Sequence, residues 1–172
     1  KPLEDKLAQL GVGKIASVLG RYYAMDRDRR WERIERAYLC LTKGTVATSE
    51  SAENAIKASY DKNLSDEFIE PTNIVVAGQT PTLIKEGDAV IFFNYRIDRP
   101  RELTKTFVLD DFQKEANKTF SFDPYAVEYE KTNLEKKPPE AFNPPFLRGD
   151  KIKNLFFVTL TEYEVGLPVA IA

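Results

Sequence analysis

The ten arginines of this chain are its most unevenly placed residues, and their grouping points to anion binding. Six fall between residues 21 and 36 (Arg21, Arg27, Arg29, Arg30, Arg33 and Arg36), three at Arg96, Arg99 and Arg101, and only Arg148 stands apart. A guanidinium grips a carboxylate or phosphate through two parallel N–H donors, which a lysine ammonium does not offer. Arg21 follows an apolar run at 15–19, and Arg96 and Arg99 follow another at 89–95, so both groups stand just beyond a predicted strand. Open α/β sheets bind ligands beyond the carboxyl ends of their strands. Arg21, Arg27, Arg96 and Arg99 are therefore the candidate ligand-holding residues. Arg29, Arg33 and Arg36 share a helical segment with Glu32 and Glu35, and i,i+3 and i,i+4 pairs on a solvated face are the better account of them.

Other polar groups carry weaker signals. Asp26-Arg27-Asp28 has the spacing of a metal–nucleotide motif, and also that of a helix cap or of an acid that orients an arginine. Asp110-Asp111 reads as a turn. Tyr22, Tyr23 and Trp31 lie beside arginines, where rings can stack on bases, but Trp31 falls on the apolar face of a helix and suits a core.

Missing residue types exclude more. The chain has no histidine, so it supplies no Ser-His-Asp or Cys-His system, no histidine metal ligand and no histidine general base. Cys40 is the single cysteine, which excludes intrachain disulfides and thiolate zinc clusters and suits a reduced, cytoplasmic setting. Twenty-five Lys and Arg against twenty-seven Asp and Glu give a net charge of -2, so no general nucleic-acid footprint is expected. No apolar run approaches a membrane span, and residues 1–10 lack the apolar segment of a signal peptide, so no membrane partner is expected.

The elements that must position the arginines follow from spacing. With 172 residues the chain suits one domain with a solid core. Leu3, Leu7 and Leu10 predict a helix stopped by Gly11 and Gly13. Trp31, Ile34, Tyr38 and Leu41 predict a helix over 29–42, ended by Gly44. A Thr/Ser loop and a weaker helix from Ser51 to about Tyr60 come next. Strands are predicted at 15–19, 73–77, 89–95 and 155–161, the last buried on both faces because it is almost continuously apolar. Residues 100–108 suit a helix with Pro100 in its first turn, and 110–148 read as a proline-broken excursion with at most one short element. Strands alternating with helices predict an α/β fold, with the sheet at least partly parallel and flanked by helices. Both ends look cut: residues 1–10 begin without a cap, and 166–172 trail off apolar like a connection. Part of a larger protein is expected.

At the arginines the chain becomes recognisable. Residues 11–38, GVGKIASVLGRYYAMDRDRRWERIERAY, closely resemble cofactor-independent phosphoglycerate mutases. Residues 88–103, DAVIFFNYRIDRPREL, resemble that family's R-x-x-R segment, and FIEP at 68–71 and LFFVTLTEYE at 155–164 match in the same order. Ile97, Pro100 and Glu102 depart from the commonest family residues, while both arginines of R-x-x-R stand.

The resemblance implies a two-domain enzyme that interconverts 3-phosphoglycerate and 2-phosphoglycerate without bisphosphoglycerate. A metal-binding domain of alkaline-phosphatase type would carry a serine nucleophile and two Mn or Mg ions. An inserted domain would hold the substrate, with Arg21 and Arg27 of GRYYAMDR and Arg96 and Arg99 of RIDR as its arginines. Residues 1–165 would form the later part of that inserted domain, and 166–172 the start of the return to the metal-binding domain. The family's serine, metal ligands and substrate histidine have no counterpart here, so this chain alone is expected to catalyse nothing. Two other readings stay open: a non-catalytic module for phosphate or carboxylate ligands, and a nucleic-acid-binding fragment with steeply salt-dependent affinity.

Overall fold

A computed structural model describes residues 2–118 and 143–172. Six short strands divide between two three-stranded sheets instead of forming one. In the first, β1 (Ser17–Val18) runs antiparallel to the central β3 (Thr72–Ile74), and β2 (Ala47–Ser49) runs parallel to it. The second is wholly parallel, with β5 (Phe156–Thr159) between β4 (Ala89–Phe92) and β6 (Ala170–Ile171). The α/β class with a partly parallel sheet thus holds.

Helix α1 (Pro2–Leu10) opens with proline and carries Glu4 and Asp5 in its first turn, where acids complement the helix dipole. Of its leucine stripe, Leu7 is half-buried while Leu3 and Leu10 are more than half exposed. Helix α3 (Trp31–Thr42) buries Trp31, Ile34, Ala37 and Tyr38, as their spacing predicts. It starts two residues later than predicted because Arg29 takes φ 58°, a left-handed conformation that no helix interior accepts. At its end, Gly44 at φ 66° lets its N–H return to the Leu39 carbonyl at 3.0 Å. Helix α4 (Ala52–Tyr60) is capped by the Ser51 hydroxyl, which accepts from the Asn54 N–H at 3.1 Å.

Helix α5 (Arg101–Val108) follows Pro100 and is buried from Glu102 to Val108. Its Leu103 and Phe107 meet Tyr38 of α3 and Phe157 of β5 in the main core. Helix α3 also faces the first sheet, where the Asn73 amide donates to the Cys40 carbonyl at 2.9 Å. Stacking α3 on α5, and α5 on the parallel sheet, brings the loops that carry the arginines to one region of the molecule.

Several expectations are corrected. The Thr/Ser segment before Ser51 contains β2, and within 166–172 Ala170 and Ile171 pair with Val158 and Thr159. A one-turn helix, α2 (Arg21–Ala24), directly follows β1. Strand β5 is central in its sheet, but Phe156 is 61% exposed, so only the face bearing Phe157 is covered by the described residues. The strands at 73–77 and 89–95 end early, at Ile74 and Phe92. Within 110–148 a short helix, α6 (Phe112–Glu115), is present, and residues 119–142 lie outside the described residues.

Candidate anion-binding site

Three of the four candidate arginines come together. Arg27 lies between α2 and α3; Arg96 and Arg99 lie between β4 and α5. Nη1 of Arg27 donates to Oδ2 of Asp98 at 2.6 Å, and Arg96 grips the same carboxylate with Nε at 2.6 Å and Nη2 at 3.0 Å. Nη1 of Arg99 donates to the Met25 carbonyl at 3.1 Å. Burial pushes the Asp98 carboxyl up, but the bonds from Arg96 and Arg27 together outweigh it and hold the group at about 2. Three guanidiniums against one carboxylate leave the cluster net positive.

Asp26 builds the loop that presents Arg27. It is 4% exposed and accepts from the N–H groups of Asp28 at 2.8 Å and Arg30 at 3.1 Å, and from Nη1 of Arg30 and of Arg33, each at 3.3 Å. An aspartate that bonds the backbone two residues on is a turn-former, so Asp26 orients arginines as one of its sequence readings has it. The left-handed Arg29 is held by its N–H, which donates to Oε1 of Glu102 at 2.8 Å. Burial lifts the Glu102 carboxyl to about 8; the Arg29 N–H opposes this, and the charges of Asp26 and Asp28 add to it. A carboxyl lifted in this way favours its protonated form over a wider pH range than a solvated glutamate does.

Arg21 stands apart from that cluster. It is the first residue of α2, half exposed, with Nε 3.8 Å from Glu67. Its position is fixed by Gly20, whose N–H donates to the Ile69 carbonyl at 2.8 Å. A Cβ on Gly20 would lie 2.4 Å from the Glu67 carbonyl oxygen and 2.6 Å from the Ile69 nitrogen.

Arg33, Arg36 and Arg148 are engaged by partners within the fold. Arg33 lies 3.8 Å over the Tyr22 ring and Arg36 lies 4.6 Å over that of Tyr23, geometry suited to cation–π attraction. Arg36 also donates to Glu70 at 2.9 Å and to the Tyr23 hydroxyl at 3.1 Å. The partners of Arg33 and Arg36 are thus Asp26, Glu70 and two tyrosines, not Glu32 and Glu35. Those same contacts occupy the tyrosine rings. Trp31 is buried, its indole N–H donating to Asn117 at 2.7 Å, and Cys40 is buried with its thiol pushed up to about 11. Arg148 donates to the Thr106, Leu109 and Asp110 carbonyls at 3.0, 2.6 and 3.1 Å, and so caps the end of α5.

The chain has no histidine, and among the described residues no group of three or more Cys, Asp or Glu side chains is placed to hold an ion. Nor is any helix of the described residues long and apolar enough to cross a membrane.

Fold and site together define an α/β unit that presents a net-positive arginine cluster on loops. The chain belongs to the BPG-independent PGAM N-terminus family, whose model matches residues 1–165. It is 47% identical over 171 residues to a 2,3-bisphosphoglycerate-independent phosphoglycerate mutase of Chloroflexus aurantiacus, covering 99% of this chain and 30% of that protein. A mutase of the same description from Moorella thermoacetica is 41% identical over 170 residues, covering 99% and 27%. The crystal structure of Leishmania mexicana phosphoglycerate mutase at low cobalt concentration superposes with a TM-score of 0.62 at 25% identity, covering 91% of this chain and 24% of that one. The chain thus spans about 30% of the length of the curated relatives it matches.

Proposed function

We propose that this chain is the substrate-holding part of a cytoplasmic, cofactor-independent phosphoglycerate mutase that interconverts 3-phosphoglycerate and 2-phosphoglycerate. The observation that carries the reading is the convergence of Arg27, Arg96 and Arg99 from two loops, in a chain whose curated relatives are such mutases. Phosphoglycerate presents a carboxylate and a phosphate, and planar forks suit both. In this reading Arg21 completes the set from the start of α2. Residues 1–165 form part of the substrate domain, and 166–172 add β6 before the chain leads on to a metal-binding domain.

The chemistry asked of this chain is retention. A phosphoryl group would leave the substrate for a serine on the metal-binding domain, where two Mn or Mg ions supply Lewis acidity, and return to the other hydroxyl. Between the two transfers the glycerate has only its carboxylate and hydroxyls to be gripped by, and the arginines hold it. Loss of glycerate to solvent would leave the phosphoryl group to water and turn a mutase into a phosphatase; retention keeps the second transfer effectively intramolecular. No bisphosphoglycerate enters this route.

The test compares turnover of 3-phosphoglycerate, with Mn present, by the 172-residue chain and by the full-length protein carrying it. The expected result is turnover only by the full-length protein, with glycerate release rising in Arg96→Met. Turnover by the isolated chain, or none by either protein, contradicts the reading.

A further inference from the structure

Asp98 belongs to neither arginine group and to no expected set of ligand residues, yet both groups meet on it. We infer that Asp98 is the positioning residue of the arginine site, fixing Arg27 and Arg96 in one geometry before ligand arrives; this rests on the function proposed above. Oδ2 accepts from Arg27 at 2.6 Å and from Arg96 at 3.0 Å, while Oδ1 accepts from Arg96 at 2.6 Å, so one carboxylate joins side chains 69 residues apart in sequence. Its own loop is anchored in turn, because the Arg99 N–H bonds to it and the Arg99 side chain reaches the Met25 carbonyl.

Exposure shows which partner supports which. The Asp98 side chain is 13% exposed, against 45% for Arg27 and 69% for Arg96. The carboxylate lies beneath, and the guanidiniums project over it towards solvent. Arginine side chains have large rotamer freedom, and ordering them in advance removes that cost from binding. The opposing effect is repulsion between Asp98 and an anionic ligand. Ordering prevails here because two guanidiniums and the Arg99 N–H already engage the single carboxylate, and the nearby Asp26 is engaged by Arg30 and Arg33. Asp98 does not touch the ligand in this account; it acts through the two arginines.

The test uses Asp98→Asn in the full-length protein carrying this chain, alone and together with Arg27→Met and Arg96→Met. Asparagine keeps the shape and removes the charge. The expected result is a KM for 3-phosphoglycerate raised roughly tenfold or more, with kcat changed much less, since misplaced binding groups cost affinity on that scale. On the Arg27→Met, Arg96→Met background the same change should alter KM less than about twofold, because its effect has lost its carriers. A merely structural aspartate would cost the same on both backgrounds. Asp98→Glu keeps the charge on a longer arm and should fall between wild type and Asp98→Asn. If Asp98→Asn binds as well as or better than wild type, or if its cost persists without the two arginines, the positioning role is overturned. If the wild-type protein binds no phosphoglycerate, the proposed function falls, and this inference with it.

Discussion

Nη1 of Arg99 donates to the backbone carbonyl of Met25 at 3.1 Å, joining the loop after β4 to the loop after α2 without any acid between them. A guanidinium used in this way is a strut, and in the function proposed above it is a ligand donor as well. Arg99→Met should therefore weaken phosphoglycerate binding at least about tenfold, since hydrogen bonds to charged groups contribute about 1.5–3 kcal/mol. It should also raise hydrogen exchange in residues 25–30. Calorimetry and exchange measurements check the two effects separately, and a variant with wild-type affinity removes Arg99 from the site.

Gly20 is required by space, not by conformation. Its φ is an ordinary -69°, but a Cβ there would sit 2.4 Å from the Glu67 carbonyl oxygen, in backbone that has no rotamer with which to yield. Gly20→Ala should destabilise the fold by about 1–3 kcal/mol, as overpacking does. The shift should also displace Arg21, the next residue. Urea unfolding reads the first effect, and an unchanged midpoint contradicts it.

Glu102 gives the fold a pH dependence of defined sign. Its carboxyl is lifted to about 8 in the folded state from 4.5, chiefly by burial. Between those values the folded protein binds more protons than the unfolded chain, so its contribution is full below pH 4.5 and is lost as pH rises through about 8. Glu102→Gln removes that slope. Unfolding midpoints at pH 5 and pH 8 should differ less in the variant than in wild type; equal differences would show that Glu102 is charged in the fold.

Arg148 is the isolated arginine of the sequence, and its partners are three carbonyls at and beyond the end of α5. A lysine ammonium has three donors, but they radiate from one nitrogen and do not reproduce the spread of the guanidinium fork. Arg148→Met should cost about 3 kcal/mol by leaving buried acceptors without donors, and Arg148→Lys should recover only part of it. Thermal unfolding of the two variants checks the order, and equal stability of Arg148→Met and wild type contradicts it.

Local signals read well where the element makes its own case. The apolar spacing of Trp31, Ile34 and Tyr38, the Ser51 cap and the Ala89–Phe92 run all lie in the residues themselves. Strand β2 does not: Ala47, Thr48 and Ser49 have no apolar alternation and become a strand by pairing with Thr72, Asn73 and Ile74. Strand β6 likewise exists through β5. Phe156 and Phe157 show the limit of composition, since apolar residues on both faces do not reveal which face is covered. At the site, residue type marked the arginines as anion donors, but their meeting on Asp98 depends on loops far apart in the chain. An acid set between two arginines, as in Arg96-Ile97-Asp98-Arg99, was the one available sign of it.

In the function proposed here the converged arginines hold phosphoglycerate. The most direct test is a calorimetric titration of the full-length protein with 3-phosphoglycerate, repeated on Arg96→Met and on Lys57→Met, whose exposed ammonium pairs with Asp61. Saturable binding that weakens roughly tenfold or more in Arg96→Met but changes little in Lys57→Met is predicted, because only the first removes a donor from the cluster. Arg96→Met binding as tightly as wild type would contradict it.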